Sequence, residues 1–412
     1  MMQYGLIGET LGHSYSARLH ALLGDAEYEL HPVARDELDA FLKARDFQGL
    51  NVTIPYKRDV ILYCAELGET ARAVGSVNTL VKRADGSLLG DNTDAYGFMK
   101  MAEKAHISFA GKKVLVLGSG GTSLTACYAV RAAGGEPVVI SRHGTDDYDH
   151  LERHRNAAAI VNATPVGMYP NPAASPVDLT RFPRLEGVLD VVYNPLRTRL
   201  LQQAEALKIP CAGGLTMLVW QAVRARELFD GHAVDPDTVQ TAEVTLKREV
   251  CNLVLVGMPG CGKTTIGKRC AKQLGLPFTD VDAEIVRRAG KPVPQIFAEE
   301  GEAVFRALET QVIAEFCNRG GQVISTGGGA VLSAENRANL RMNAVVARLM
   351  RPLERLKTEG RPLSAGLETL RRMERDRAPY YCDTADYTVM NDRTLSDCVR
   401  RVLEGYDEAL RN

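Results

Sequence analysis

The segment GMPGCGKTT, residues 257–265, has the spacing G-x-x-x-x-G-K-[ST] between an apolar run and a helical pattern. Gly257, Gly260 and Gly262 let backbone N–H groups approach phosphate oxygens that a Cβ would hold off. Lys263 is a flexible point charge for β- and γ-phosphates, and Thr264 offers a hydroxyl to Mg²⁺. With Cys261 and Thr265 they predict a loop that binds a nucleoside triphosphate, ATP in the first instance. Downstream, LPFTDVDAEI sets Asp280 and Asp282 two residues apart at the end of a second strand. On a strand both point to one face, which suits a metal partner and a hydroxyl partner. A polar turn with capping aspartates is the other reading of those letters. STGGGA, residues 325–330, ends a third strand with Gly327, Gly328 and Gly329, where backbone must crowd a ligand. AVFRALE puts Arg306 and Glu309 on one helix face, GRPLS carries Arg361 and DRAPYY carries Arg377.

A second glycine turn lies in KKVLVLGSGGTSLTA, residues 112–126, where Gly118, Gly120 and Gly121 join a strand to a helix. The next strand, EPVVISR, ends at Ser141 and Arg142, about 20 residues on, where an acid would bind the ribose of NAD. An arginine there accommodates a 2′-phosphate instead, so NADP(H) is favoured. Upstream lie IGETLGHSYSARLH, LNVTIPYK, SVNTL and LLGDNTDAYG, and downstream VNATPVGMYP, DVVYNPLRTRLL and GGLTMLVWQAVRARELF.

These segments need scaffolds. A length of 412 residues predicts two or three domains at about 150 residues each. Short apolar runs at 4–7, 49–53, 113–118, 137–141, 159–162, 188–192, 252–257 and 322–325 alternate with helical patterns at 34–45, 122–133 and 299–318, which predicts α/β architecture. A boundary falls near Arg248, where an acid-started, base-ended helix over 236–248 meets a buried strand over 250–256. A softer one falls at 109–111. Hydrophobic residues make up 45% of the chain, too many for a disordered one. No apolar run approaches the roughly 20 residues of a membrane span, and no secretory signal opens the chain. Fifty basic against 51 acidic residues leave no excess for nucleic acid. Nine cysteines without a CxxC predict reduced thiols in the cytoplasm and no zinc ribbon. All eight histidines lie at or before His232, so the last third holds no histidine-ligated metal.

Residues 250–412 resemble shikimate kinase, a family with a phosphate loop, a D-x-D strand end, an F-R-x-x-E helix, a G-G-G turn, an R-P-L-L lid segment and an R-x-P-L-Y stretch; here RPLS replaces R-P-L-L. The resemblance implies a P-loop fold with a parallel sheet. Asp282 would orient the attacking hydroxyl of shikimate, and Asp280 would help Thr264 position Mg²⁺. Arg306, Arg377 and Gly327, Gly328 and Gly329 would hold the substrate carboxylate and hydroxyls, since guanidiniums match carboxylates with parallel donors. Arg361 would close from a lid onto the phosphoryl group. ATP contacts are expected from Gly257, Gly260, Cys261, Gly262, Lys263, Thr264, Thr265 and Arg361.

Residues 3–248 resemble shikimate dehydrogenase through NVTxPxK, GxNTDxxG and NATPxGM. The resemblance implies a substrate domain over 1–110, rejoined by 215–248, and a Rossmann domain over 111–214. The last third, 249–412, is then the kinase domain. Lys57 would be the acid/base in reduction of the ketone of 3-dehydroshikimate, with Asp94 its charged partner and a substrate ligand. Ser14, Ser16, Thr53, Asn78 and Gln221 would hold hydroxyls and carboxylate, and Tyr193 would line the cleft. NADP contacts are expected from Gly118, Gly120, Gly121, Ser141, Arg142, Thr164 and Gly214. The stretch 142–162 is short for that family, as if a βα step were trimmed, and Asp146 and Asp147 follow Arg142 where a lysine is usual. Two alternatives stay open: a quinate/shikimate dehydrogenase using NAD with a divergent small-molecule kinase, and a metabolite-sensing homologue without catalysis. Small molecules are the expected partners, and the oligomeric state is undetermined.

Overall fold

The computed structural model describes residues 2–411 except His13 and 357–366. Two compact units divide the chain: Met1–Asn194 with Thr198–Leu246, and Pro195–Arg197 with Lys247–Asn412. The division falls inside the helix Pro236–Val250.

Two sheets build the first unit. The first comprises β1 (Met2–Gly8), β2 (Tyr28–Pro32), β3 (Phe47–Val52), β4 (Glu66–Leu67), β5 (Thr79–Lys82) and β6 (Leu88–Asp91), in the order β2-β1-β3-β5-β6-β4. β1 runs parallel to β2 and β3, while β5 is antiparallel to β3 and β6. Ile7, Phe47, Leu50, Leu80 and Leu88 are fully buried in its core, which fixes the register of the central strands.

The second sheet is wholly parallel: β7 (Lys113–Leu117), β8 (Glu136–Ile140), β9 (Ala159–Asn162), β10 (Gly187–Asp190) and β11 (Cys211–Gly213), ordered β11-β10-β9-β7-β8. β7 shows why its run is continuously apolar. Val114 and Val116 pack into one core with Ala126, Val130 and Phe109, and Leu115 and Leu117 into another with Ile160, Val188 and Leu200. A strand covered on both faces buries both sets of alternating side chains. Between β8 and β9 the chain makes only a 3₁₀ turn, Tyr148–His154, capped by the Asp147 carboxylate, so β8 is a sheet edge.

The helices Asp94–Lys104 and Gly214–Asp230 pack closely, because a Cβ on Gly97 would sit 2.4 Å from the carbonyl oxygen of Met217. That approach needs glycine.

The second unit holds β12 (Asn252–Val256), β13 (Phe278–Asp280), β14 (Val323–Ser325), β15 (Ala344–Met350) and β16 (Tyr387–Met390) in one parallel sheet, ordered β13-β14-β12-β15-β16. Every residue of β12, the middle strand, is buried. The phosphate-loop segment follows it into the helix Lys263–Leu274.

Three expected helices differ in extent. The pattern at 34–45 is helical only over Leu38–Ala44, and the one at 236–248 runs on to Val250. The pattern at 299–318 is split: Val293–Glu299 ends before Gly301, whose φ of +86° breaks the run, and Gly301–Cys317 begins there. The nine cysteines form no disulfide. Among the described residues no helix is long and apolar enough to cross a membrane.

Candidate functional sites

In the first unit a cavity of about 500 Å³ gathers Ser14, Ser16, Thr53, Lys57, Asn78, Asp94, Tyr193, Gly214 and Gln221. The elements deliver them one by one. Thr53 leaves β3 with its N–H on the Ile7 carbonyl (2.9 Å), and the chain turns back through the bond from Tyr56 N–H to Thr53 O (3.0 Å). The Tyr56 side chain is fully buried and its hydroxyl donates to Val33 O at 2.7 Å, which anchors that turn beneath Lys57. Asn78 stands just before β5, and Asp94 opens its helix with its N–H on Asn92 Oδ1 (3.1 Å).

Lys57 and Asp94, 37 positions apart in sequence, meet with Nζ 2.6 Å from Oδ2. The other carboxylate oxygen accepts Asn78 Nδ2 at 2.9 Å. One side of Asp94 is thus held by an ammonium and the other by an amide. Both charged side chains keep a water-facing edge, 30% exposed for Lys57 and 19% for Asp94. Ser14 and Ser16 bond each other through their hydroxyls at 3.0 Å, with Ser16 at the start of the helix Ser16–Leu23. Tyr193 lies edge-on to Tyr15, and burial first, with Tyr15 second, raises its phenol pKa, so it remains a neutral donor. The Gln221 amide donates to Leu218 O at 2.9 Å. Here an ammonium faces a chamber rimmed with hydroxyls and amides, an arrangement that can give a proton to an oxygen held at its mouth.

The glycine turn fits a dinucleotide. Gly118 has φ +104° and no room for a Cβ, which would meet Thr164 Cγ2 at 2.8 Å. Gly120 and Gly121 have nothing within 4 Å of a Cβ position, leaving open space at the start of the helix Gly121–Ala132, where an anion is favoured. Thr164 donates its hydroxyl to Asn162 Oδ1 at 2.6 Å. Gly214 lets its helix start against Val191 O, where a Cβ would not fit. Ser141 is half-buried and Arg142 exposed after β8. The two acids that follow are engaged elsewhere: Asp146 with His154 Nε2 (2.9 Å) and Asp147 with His150 Nδ1 (2.7 Å).

In the second unit Gly257, Gly260 and Gly262 all take positive φ. Lys263, 7% exposed, lies back on its own loop, donating to the carbonyls of Gly257 (2.8 Å) and Met258 (3.0 Å). Cys261 is buried and Thr265 exposed. Thr264 Oγ1 donates to Asp280 Oδ2 at 2.7 Å. The strand picture for the two aspartates does not hold: β13 ends at Asp280, which caps the helix Val281–Ala289 through Ala283 N–H, and Asp282 lies in the first helical turn. The capping preference of Asp280 wins over strand continuation.

The triple glycine turn is where the remaining residues converge. A Cβ on Gly327 would sit 2.7 Å from Asp282 Oδ1 and 2.9 Å from Glu309 Oε1, and one on Gly329 would sit 2.5 Å from Arg306 Nη2. Gly328 O accepts Arg377 Nη1 (3.0 Å) and the Tyr381 hydroxyl (2.5 Å). Arg306 Nη1 donates to Glu309 Oε2 at 2.8 Å. Glu309 is 1% exposed; burial raises its carboxyl pKa, and the charge of Arg306 opposes that. Arg361 lies outside the described residues.

Sequence reasoning did not single out Asn51, Tyr15 and Thr122, which line the cavity of the first unit, or Tyr381. Asn51 stands two before Thr53 at the end of β3, and Tyr381 four after Arg377 on one helix, spacings that share a face.

The family model for shikimate kinase matches residues 259–406, and that for the shikimate dehydrogenase substrate binding domain matches residues 6–80. A shikimate dehydrogenase (NADP(+)) of Clostridium perfringens is 34% identical over 269 residues, spanning 60% of this chain and 99% of the relative. The crystal structure of a shikimate dehydrogenase from Thermus thermophilus with NADP(H) and shikimate is 33% identical, covers 59% of this chain and 98% of its own, and superposes with a TM-score of 0.53. A quinate dehydrogenase from Corynebacterium glutamicum with NAD is 29% identical over 59% of this chain and 99% of its own, with a TM-score of 0.55.

Proposed function

The chain belongs to the shikimate dehydrogenase family over its first 60%, and from that premise we propose that it is a bifunctional enzyme catalysing two consecutive reactions. The first unit reduces 3-dehydroshikimate to shikimate with NADPH. The second phosphorylates shikimate to shikimate 3-phosphate with ATP. Residues 1–110 and 215–248 serve as the substrate domain, 111–214 as the NADP domain and 249–412 as the kinase.

The observation that carries the reductase reading is the Lys57–Asp94 pair at 2.6 Å inside a chamber of hydroxyls. NADPH, when bound, supplies hydride. Lys57 Nζ gives its proton to the ketone oxygen as that oxygen gains negative charge, while Asp94 holds Nζ in line. Ser14, Ser16, Thr53, Asn78 and Gln221 orient the ring and carboxylate, and Tyr193 closes one wall. Gly118, Gly120, Gly121, Ser141, Arg142, Thr164 and Gly214 would hold the cofactor, and the Arg142 guanidinium would offer donors to a 2′-phosphate. The acidic pair after Arg142 favours the second reading, NADH as donor, but both carboxylates already carry histidine partners.

For the kinase reading the support is convergence on Gly327, Gly328 and Gly329. Asp282 accepts the proton of the attacking hydroxyl, and Arg306 and Arg377 hold the carboxylate. Lys263 exchanges two loop carbonyls for phosphate oxygens when ATP binds. Thr264 and Asp280 are hard oxygen donors on one bond, and Mg²⁺ commonly takes one or two protein oxygens beside phosphates and water. These two residues would hold it, and it would neutralise phosphate charge; among the described residues no three His, Cys, Asp or Glu side chains gather into a dedicated cage. Two separate assays test the proposal. NADPH oxidation is expected with 3-dehydroshikimate, and ADP release with shikimate and MgATP. Absence of either contradicts the corresponding half.

A further inference from the structure

We infer that His20, Asn51 and Thr79 form a one-way chain of hydrogen-bond donors that fixes the carboxylate of Asp94, and that all three are positioning residues for the reduction. The inference rests on the reductase reading above. All three side chains are buried, at 1%, 5% and 0% exposure, and none has a role in the chemistry described so far.

The direction of the chain follows from what each atom can do. Asn51 Oδ1 only accepts, and it takes both His20 Nε2 (3.1 Å) and the Tyr28 hydroxyl (2.8 Å). Nε2 must therefore carry the imidazole proton, and Nδ1, buried without a partner, is the bare nitrogen. Burial, with help from the charge of Arg226, lowers the His20 pKa to about 3, and the ring stacks on Tyr28 at 4.0 Å. With its oxygen committed, Asn51 turns Nδ2 to Thr79 Oγ1 (3.2 Å) and to Asn78 O (3.4 Å). Thr79 has then accepted once, and its single proton goes to Asn78 Oδ1 at 3.0 Å. That oxygen also receives Thr93 N–H at 2.8 Å, which aims Asn78 Nδ2 at Asp94 Oδ1 (2.9 Å). Oδ2 is left for Lys57. Reversing Asn78 would set its Nδ2 against Thr93 N–H, and reversing Asn51 would set its Oδ1 against the Asn78 carbonyl oxygen, so one arrangement survives. Bonds in such a buried series polarise one another, and a break in the middle is felt at its end.

Thr79 gives the decisive test, because valine keeps its shape and loses the hydroxyl while serine does the reverse. Thr79→Val is expected to lower kcat for 3-dehydroshikimate about 10- to 100-fold, the scale of a displaced catalytic pair. KM should stay within about threefold, since the other ring contacts remain. Thr79→Ser is expected to recover most of kcat. A packing role predicts the opposite order, and a valine variant as active as the parent or better than serine would overturn the chain. Trp220, the chain's single tryptophan, lies in the same unit, and its fluorescence reports whether Thr79→Val folds. If it does not fold, ¹⁵N spectra of the histidines in the parent protein decide. His20, assigned by its loss in His20→Gln, should show protonated Nε2 and no titration between about pH 5 and 9. A proton on Nδ1 would overturn the donor order. A parent protein inactive toward 3-dehydroshikimate would instead remove the reductase reading, which the spectrum does not depend on.

Discussion

Substituting Gly327→Ala probes the kinase site through a single methyl group. Gly327 lies outside the left-handed region, so alanine meets no backbone strain and the effect is steric. The added carbon would sit 2.7 Å from Asp282 Oδ1 and 2.9 Å from Glu309 Oε1, against 3.4 Å for ordinary contact. Glu309 is buried and tied to Arg306 through its other oxygen, so it yields less than Asp282 does. Asp282 is exposed, and it moves by about 0.7 Å, the overlap at its oxygen. A misplacement of about 1 Å costs up to about 10²-fold in rate, so kcat/KM for shikimate should fall about 10- to 100-fold, or about 1.4–2.7 kcal/mol of activation free energy. ADP release measured against shikimate concentration gives that number. KM for ATP should stay within about twofold, because the phosphate loop is not displaced. NADPH oxidation in the same sample should match the parent and shows that the reductase unit is intact. Shikimate kinetics within about twofold of the parent would refute the placement of Asp282 at the reacting hydroxyl.

Lys57→Ala should lower NADPH-dependent reduction by about 10²–10⁴ while shikimate phosphorylation stays near the parent rate, as paired steady-state assays would show. Lys263→Ala should do the reverse, abolishing phosphorylation and sparing reduction; unchanged ADP release would refute the phosphate-loop assignment. Arg142→Ala should raise KM for NADPH far more than KM for NADH, because only NADPH brings a 2′-phosphate to the guanidinium; equal changes would remove Arg142 from that role. Asp190 is fully buried, and burial raises its pKa to about 6 despite hydrogen bonds from Thr198, Val192 and Asn162. The folded state therefore holds its proton more tightly than the unfolded chain, and stability falls as pH rises from about 4 to about 6. Asp190→Asn should lack that fall and gain on the order of 3 kcal/mol relative to the parent above pH 6. Urea unfolding followed by Trp220 fluorescence across that range checks it; parallel pH profiles would count against the raised pKa.

Much of this was legible in the sequence because the chemistry-bearing segments are local. The phosphate loop declares itself by spacing, the glycine turn at 118–121 by the strand, helix and Arg142 around it, and the central strands β7 and β12 by unbroken apolar runs. The 3₁₀ turn between β8 and β9 was legible as a short stretch. Tertiary relationships were harder. Asp280 and Asp282 follow a strand-like run, and only the capping bond to Ala283 shows that the helix begins between them. β2, a sheet edge with no fully buried residue, has no apolar run to mark it. Asn51 and Tyr381 sit inside quoted segments, yet their roles come from partners far along the chain. His20 ends a quoted segment and carries no signal of its own until Asn51 is placed beside it.

Purified protein incubated with 3-dehydroshikimate, NADPH and MgATP tests the central claim most directly, with products identified by mass spectrometry. The account predicts shikimate 3-phosphate when both NADPH and ATP are present, shikimate when ATP is withheld, and unchanged 3-dehydroshikimate when NADPH is withheld. Recovery of unreacted 3-dehydroshikimate from the complete mixture, or of shikimate without its phosphate, would contradict it.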